Sequence, residues 1–586
     1  MRILGISCHY HDAAATLLSD GVVVAAAEEE RFSRRKHDAA FPMAAIQWCL
    51  ESQGIGIDQV DLVAFYEKPF RKFERILRQH LEGFPRGFKT FQMGMPGWLS
   101  EKIRVRSLLR KRLGYRGDVA YVDHHLSHAA GAFLPSPFQE AAIVTVDGVG
   151  EWTTTAYGVG RGSSVELMRE IRFPHSLGLL YSSITAYLGF SVNNSEYKVM
   201  GLSPYGDMDR AANPYYAKLK QVIDIREDGS YRLDLDYFTF QHTDRMPGKR
   251  LLHLLDGPVR DPAAPLLPRH HDIAAAVQMI TEDAVMAILR QARQATSCDN
   301  VVLSGGVALN SVINGRILSH TGFKNVWIQP NAGDAGSSMG AALFAHCTVL
   351  GKPRSYRLMH AFLGPEFSDA AIADFLAAKG IRHTRFPDPS ALIKEASRRL
   401  QAGEVVGWFQ GRMEWGPRAL GARSILADPG RADMQATLNE KVKHREAFRP
   451  FAPSVCAEDV EKFFRCDSPL PLATDFMLMV YPIREEWRAR LPAVTHVDGT
   501  GRVQTVRREA NPLYYDLIRE FGKVSGIPML VNTSFNIRGE PIVNSPLDAY
   551  RCMMGTGIDC LFIGNHLVRR EDNLQDKWDS ESIGTD

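Results

Sequence analysis

No stretch of this sequence approaches the ~18 consecutive apolar residues of a membrane-spanning helix, which argues against an integral helical membrane protein. The N-terminal stretch also lacks the apolar run of a secretory signal, because His9, His11 and Asp12 interrupt it; a cytoplasmic protein is expected. Cysteine is scarce: eight in 586 residues, scattered from Cys8 to Cys560 with no C-x-x-C. That spacing offers no disulfide framework and fits free thiols in a reducing compartment. Net charge is only +2, so no global excess of one sign demands nucleic acid or a membrane surface. Repeats and low-complexity tracts are missing too. What is left is an ordinary globular composition, 45% hydrophobic and 23% charged, in a chain long enough for about two to four domains.

Histidine is also sparse, 19 in all, yet "YVDHHLSHAAGAF" holds three within five residues: His124, His125 and His128. On a helix, residues four apart share a face with Cβ atoms roughly 5–6 Å apart. His124 and His128 are then placed to chelate one metal ion while His125 points elsewhere. The plainer reading is that polar histidines open a helix whose small face, Ala129, Ala130 and Ala132, packs inside. A third ligand has to come from another part of the chain. Residues 68–116 are a local exception to the charge balance, rich in Lys and Arg and helical in pattern. A solvated helical face is one reading, and a groove for an anionic substrate or partner is the other.

Along the chain, "MRILGISCHYHDAAATLLSDGVVVAAAEEE" reads as strand, polar turn, strand, Ser-Asp-Gly turn and strand. Actin/Hsp70/sugar-kinase ATPase domains begin this way. "EAAIVTVDGVGEWTTTAYGVG" at 140–160 has the same form, with Asp147 at its turn. The two units predict two halves of one nucleotide cleft. "NVVLSGGVALNSVINGRIL" at 300–318 predicts a strand, a Gly-Gly turn and a helix. "QPNAGDAGSSMGAALFAH" at 329–346 repeats that logic, with Gly333 and Asp334 on a Gly-rich turn before a small-residue helix. Such turns let a ligand approach the backbone at a helix N-terminus, although tight strand–helix packing also uses glycine.

After residue 350 a linker leads into a different unit. Its segments "GRMEWGPRALGARSILADP", "NEKVKHREAFRPFAPSV", "THVDGTGRVQTV" and "PMLVNTSFNIRGEPIV" place basic residues among Gly, Pro and aromatics. They are Arg412, Arg418, Arg423, Lys441, Lys443, Arg445, Arg449, Arg502 and Arg538. An exposed charged face would interleave acids, so this pattern suits a shaped pocket for phosphate or carboxylate groups.

These segments, with "HDAAATLL", "EEERFSRRKHD", "HHLSHA", "VDGVGEWTTT", "SEYKVMGLSPYG", "LSGGVALN" and "GDAGSSMGAAL", together resemble the nodulation/cephamycin-type O-carbamoyltransferases almost end to end. The resemblance implies an α/β protein of two domains: an actin/Hsp70-like (ASKHA) transfer domain over 1–355 and an α+β YrdC-like domain over 356–586. It implies that the second domain uses ATP, with Mg(II), and carbamoyl phosphate to make carbamoyl-adenylate. The first domain then passes the carbamoyl group to a hydroxyl of a small molecule. The acceptor is not singled out, no nucleic-acid or membrane partner is implied, and a homodimer is left open. Rival readings are a tRNA-modifying threonylcarbamoyl-type transferase and a non-catalytic adenylate-binding protein.

The resemblance also assigns residues. His124, His128 and Asp334 match the family's iron ligands, and two imidazoles with one carboxylate suit Fe(II). His11 matches its general base, with His9 as the local rival and Asp12 orienting the imidazole. A neutral imidazole of pKa about 6.5 can take an alcohol's proton during attack. Asp147 should face phosphate or metal, and Asn310 the adenosine. Lys36 and Gly333 are placed near the nucleotide. In the second domain Arg418, Lys443, Arg449 and Arg502 should hold phosphates. Asn532, Ser534 and Asn536 should hold the planar carbamoyl group.

Overall fold

The computed structural model describes residues 1–243 and 245–574. They divide into two compact units, Met1–Glu29 with Ala39–Leu358, and Glu30–Asp38 with the chain from Met359. Residues 30–38 therefore belong to the second unit although the chain on either side belongs to the first. Their arginines explain why. Arg31 donates to the Gly416 carbonyl at 3.0 Å, and Arg34 donates to the Ile542 and Pro541 carbonyls at 2.7 Å each. Lys36 goes with this segment.

In the first unit, β1 (Arg2–Ser7), β2 (Ala14–Ser19), β3 (Val22–Glu28), β4 (Leu62–Phe65) and β5 (Asp118–Tyr121) form one sheet, ordered β3-β2-β1-β4-β5. The first hairpins are antiparallel, and β1, β4 and β5 run parallel. A second sheet uses β6 (Glu140–Val146), β7 (Thr153–Arg161) and β8 (Ser164–Arg172). A small ribbon follows, β9 (Ile223–Ile225) with β10 (Tyr231–Leu233), before β11 (Asn300–Ser304) and β12 (Asn325–Ile328) complete that sheet. Its order is β12-β11-β6-β7-β8, again antiparallel between the first hairpin strands and parallel toward the last two. Counted from its own first strand, each sheet has the same order, so the unit contains one topology twice. Both first strands are almost wholly buried, as expected of strands covered on both faces.

Each central strand ends at a polar turn, residues 8–13 after β1 and 147–152 after β6. Two helices pack closely beside these turns: His124–Phe133 and Gly336–Phe344. A Cβ at Gly340 would lie 1.8 Å from the Ser127 carbonyl oxygen, so only glycine permits this approach. Glycine here is a packing requirement, and it sets the spacing between His128 and the turn carrying Asp334.

Two expectations change. The single helix expected in 300–318 is a 3₁₀ turn at Gly306–Leu309 followed by two short helices, Ser311–Asn314 and Ile317–Thr321. Asn310 starts the first of these by accepting from the Ile313 N–H at 3.2 Å, and weak helix formers such as Asn314 and Gly315 end it. In the basic segment, the helix Pro69–Glu82 does not present all its cations to water. It buries Lys72 and Arg75 and exposes Phe70 and Leu81, while Arg71, Glu74 and Arg78 face water.

The second unit is built on a nine-stranded sheet of β13 (Thr384–Arg385), β14 (Val406–Phe409), β15 (Arg423–Ala427), β16 (Ala452–Cys456), β17 (Met479–Pro482), β18 (Thr500–Val506), β19 (Met529–Ser534), β20 (Cys560–Ile563) and β21 (His566–Arg569). The order is β13-β21-β20-β14-β15-β19-β16-β18-β17, parallel and antiparallel pairs mixed. Helices Pro389–Gln401 and Pro512–Ser525 cover one face. Leu392, Ala396, Leu400, Leu517 and Phe521 meet Trp408, Leu426, Leu530 and Phe562 there. All eight cysteines are free thiols, and no described helix is long and apolar enough to cross a membrane.

Candidate active site

In the first unit, His124 and His128 stand one turn apart and both face the end of β6. Their Nε2 atoms are 3.1 Å apart. The other face of His128 is accounted for: its Nδ1 meets the Ser304 and Ser337 hydroxyls at 3.2 Å each. Asp147 Oδ2 lies 3.2 Å from His124 Nε2 and 3.8 Å from His128 Nε2. Its other oxygen accepts from the Gly306 N–H at 2.8 Å. The Gly-Gly turn allows that bond, because Gly305 sits at φ +94 with room for no Cβ against the Val146 carbonyl. Asp334 Oδ1 completes the group at 3.6 Å from His124 Nε2 and 3.4 Å from His128 Nε2.

The four candidate ligand atoms all lie within 4.8 Å of one another, and all four residues are buried. Both Asp334 oxygens are enclosed without a hydrogen-bond donor. A buried carboxylate normally satisfies its lone pairs, so this orphaned acid beside two imidazole nitrogens fits a divalent cation. Nitrogen and oxygen donors in this ratio suit a transition metal over calcium. His125, on the same helix, faces away and pairs with the Thr145 hydroxyl at 2.7 Å. Burial, then His124 and His128, push it down to about 3, so it is neutral.

His11 stands at the edge of this cluster, with Nε2 3.8 Å from Asp334 Oδ2 and Nδ1 2.8 Å from Asp12 Oδ2. Burial opposes its charge, but Asp334 and Asp12 outweigh burial and raise its pKa to about 10. In the same way burial opposes the charge of His128, and Asp147 with Asp334 raises it to about 9. His9 is placed differently. β1 has already ended at Ser7, and His9 and Asp12 adopt positive φ, so strand alternation does not carry His9 to the face of His11. Burial, with Lys102 and Lys72, lowers His9 to about 4.

Two further residues sit apart from the cluster. Asn310 exchanges hydrogen bonds with Gln278 at 2.9 and 3.2 Å while capping its helix, so its side chain is committed to structure. Gly333 precedes Asp334, and the space where its Cβ would stand is open except for Leu309 at 3.8 Å. Glu151 was not anticipated. Its carboxylate accepts from the His124 N–H at 3.1 Å and the Lys68 N–H at 2.7 Å, fixing the start of the histidine helix. An acid four residues after Asp147, in "DGVGE", was the available signal.

In the second unit Lys443 is buried and donates to Asn536 Oδ1 at 2.8 Å, the Asn536 carbonyl at 3.0 Å and the Ser534 hydroxyl at 3.3 Å, and also to the Ser534 carbonyl. All are neutral acceptors. Burial, then Arg445, Arg449 and Lys36, holds its pKa well below the usual lysine range. The Arg502 side chain makes no hydrogen bond or ion pair among the described residues. Burial and the guanidiniums of Arg418, Arg445 and Arg449 lower it strongly. Arg449 leans toward Glu446 at 3.7 Å. Asn532 on β19 donates to Gln504 at 2.7 Å and to the Ala419 carbonyl at 3.1 Å, and its own carbonyl oxygen is buried without a donor. The second unit thus collects cations around Lys443 and Arg502 without pairing either with an acid. Cations gathered in this way suit anionic groups such as phosphate or carboxylate.

Residues 2–343 match the family "Carbamoyltransferase N-terminus", and residues 397–570 match "Carbamoyltransferase C-terminus". The chain belongs to the carbamoyltransferase family. It is a carbamoyl-transferring enzyme of the nodulation/cephem O-carbamoyltransferase type. The nodulation protein NolNO of Sinorhizobium fredii is 38% identical over 97% of this chain and 80% of that one. An uncharacterized Synechocystis protein is 45% identical over 99% of both chains. The 3'-hydroxymethylcephem-O-carbamoyltransferase of Amycolatopsis lactamdurans is 35% identical over 46% of this chain and 48% of that enzyme. Among solved structures, T. kodakarensis HypF covers 60% of this chain at 15% identity with a TM-score of 0.30.

Proposed function

We propose that the enzyme is an ATP-dependent O-carbamoyltransferase working in two steps. In the second unit, carbamoyl phosphate loses phosphate to water. The resulting carbamate attacks the α-phosphorus of ATP, giving carbamoyl-adenylate and pyrophosphate. In the first unit, a hydroxyl of a small molecule attacks the carbamoyl carbon, giving a carbamate ester and AMP. On this reading the first unit, with its twice-used sheet order, is of ASKHA type and the second is YrdC-like. Both co-substrates of the first step are polyanions. The observation that carries the proposal is the set of cations around Lys443 and Arg502, where no acid pairs with either.

Each residue then has a chemical task. Arg418, Lys443, Arg449 and Arg502 neutralise phosphate oxygens, and Lys36 adds charge at longer range. The buried Asn532 oxygen offers an acceptor for the carbamoyl NH₂. Closed surroundings protect carbamate and its adenylate from hydrolysis. His124, His128, Asp147 and Asp334 would hold the metal, with iron the family's choice. Bound there, the cation supplies Lewis-acid polarisation and compensates the acids that otherwise hold protons on His11 and His128. His11 at Nε2 takes the alcohol proton, and Asp12 at Nδ1 fixes its tautomer.

The test is pyrophosphate release from ATP and carbamoyl phosphate. Wild type should release it without any acceptor. Arg502→Met should lose at least 100-fold while folding normally, because removing an unpaired, crowded cation does not cost stability. Wild type that releases no pyrophosphate under these conditions, or Arg502→Met that releases it at the normal rate, refutes the assignment.

A further inference from the structure

The helix Pro69–Glu82 buries two of its cations and exposes two of its large apolar residues. Phe70 and Leu81 are 72% and 69% exposed, whereas Lys72 and Arg75 are each 6% exposed. Lys72 is compensated, with Nζ 2.5 Å from Glu67 Oε2 and lying over the Tyr10 ring at 5.3 Å. Arg75 is not. Among the described residues it has no hydrogen bond and no ion pair, and its Nε is fully enclosed without an acceptor. The Phe173 ring lies 5.0 Å from the guanidinium carbon, and Tyr10, Glu67 and Glu151 act on its charge from a distance without a direct contact.

A buried guanidinium without a direct acceptor is costly, and a cation–π contact offsets only part of that cost. Arginine's planar fork is the side chain best matched to a carboxylate or phosphate. Burial lowers Arg75 only to about 10, so it stays charged at neutral pH. Its place also matters. The helix start is tied to the metal-ligand helix: the Lys68 N–H donates to Glu151 and Lys68 Nζ to Asp123 at 2.6 Å, and Asp123 precedes His124. Tyr10, under Lys72, has its ring 4.5 Å from that of His11. The unpaired fork thus belongs to the wall beside the proposed base.

We propose that Arg75 is the acceptor-specificity residue, receiving an oxyanion, carboxylate or phosphate, carried by the alcohol that is carbamoylated. This rests on the O-carbamoyltransferase reading and names its substrate class: hydroxylated acids over neutral alcohols. Phe173 and Trp152 give the same wall an aromatic surface; Arg78 lies 5.7 Å over Trp152.

Isothermal titration of the full chain with two matched pairs tests this: methyl glucuronide against methyl glucoside, and glycerol 3-phosphate against glycerol. In at least one pair the acid should bind wild type at least tenfold more tightly than its neutral partner. Arg75→Met should abolish that preference, and Arg75→Lys should keep part of it. Which pair responds tells carboxylate from phosphate. AMP should bind wild type and Arg75→Met equally, and the thermal midpoint of Arg75→Met should equal or exceed wild type. Wild type with no acid preference in either pair overturns the proposal. So does an equal loss of AMP binding, which would make Arg75 a nucleotide contact, or a preference that survives in both variants. Pyrophosphate release is measured on the same samples. Its absence in wild type refutes the O-carbamoyltransferase reading, whereas its presence beside equal binding of acids and neutrals refutes only the role of Arg75.

Discussion

Metal binding to this enzyme should release protons, in a number that the site itself sets. Without a cation, His128 titrates at about 9 and His11 at about 10, because Asp147, Asp334 and Asp12 outweigh the penalty of burial. Both therefore carry a proton at pH 7.5. A metal ion taken up by His128 must displace its proton outright. The cation also cancels the acids that hold the proton on His11. One to two protons should leave per ion, and the apparent affinity should rise roughly tenfold per pH unit for each proton released. For His128 alone, two pH units below its pKa, the penalty is on the order of 3 kcal/mol, about a hundredfold in affinity. The assay is titration of metal-stripped protein with Fe(II) or Mn(II) in buffers of different ionisation enthalpy, from pH 7 to 9. The metal-free fold carries the opposite signature. Histidines with raised pKa stabilise it fully below about pH 6.5 and lose that contribution as pH rises toward 9 and 10. Thermal midpoints of the stripped protein should fall over that window, and those of the loaded protein much less. An affinity independent of pH, with no buffer dependence of the heat, would refute the four-residue site.

Three further outcomes follow from the geometry. His11→Ala should keep metal binding and pyrophosphate release while transfer to an alcohol falls ~100- to 10,000-fold; His9→Ala, which lies off the cluster, should transfer normally, and the reverse pattern in product assays would exchange their roles. Glu151→Ala should remove the acceptor for the His124 and Lys68 N–H groups, lowering stability by about 1–2 kcal/mol and metal affinity about tenfold; Glu151→Gln should restore most of both, as read by thermal melts and metal titration. Gly340→Ala should drive a Cβ into the Ser127 carbonyl, costing about 1–3 kcal/mol and loosening the metal site; a variant with unchanged melting and metal content would show that the two helices tolerate separation.

Much of the site was legible because its residues come in local patterns. His124 and His128 are one helical turn apart, and that period survives any tertiary arrangement. The turns after β1 and β6, and the Gly-rich turn before Asp334, announce themselves by composition. The basic residues among Gly and Pro near Arg418, Lys443 and Arg449 did so as well. Local patterns failed where a neighbouring element decides. Alternation could not separate His9 from His11, since the strand stops at Ser7 and positive φ redirects the chain. Nor could local patterns show that Gln278, on a distant helix, engages the amide of Asn310.

The strand-turn-strand units, the two imidazoles one helical turn apart and the pool of cations were written in the sequence, because helical period, strand period and turn chemistry act within a few residues. Tertiary structure alone decided which acids meet which bases. Asp147 and Asp334 are 187 positions apart, and they converge on one histidine pair only because two glycine turns and the tight crossing at Gly340 bring their elements together. Residues 30–38 join the second unit for a similar reason: Arg31 and Arg34 find backbone carbonyls there. Arg75 shows the limit from the other side. One-dimensional patterning left its helix between a solvated face and a groove for an anion, and packing buries Arg75 together with Lys72, which meets Glu67. Burial and pairing are properties of contacts between distant segments, so no local pattern encodes them.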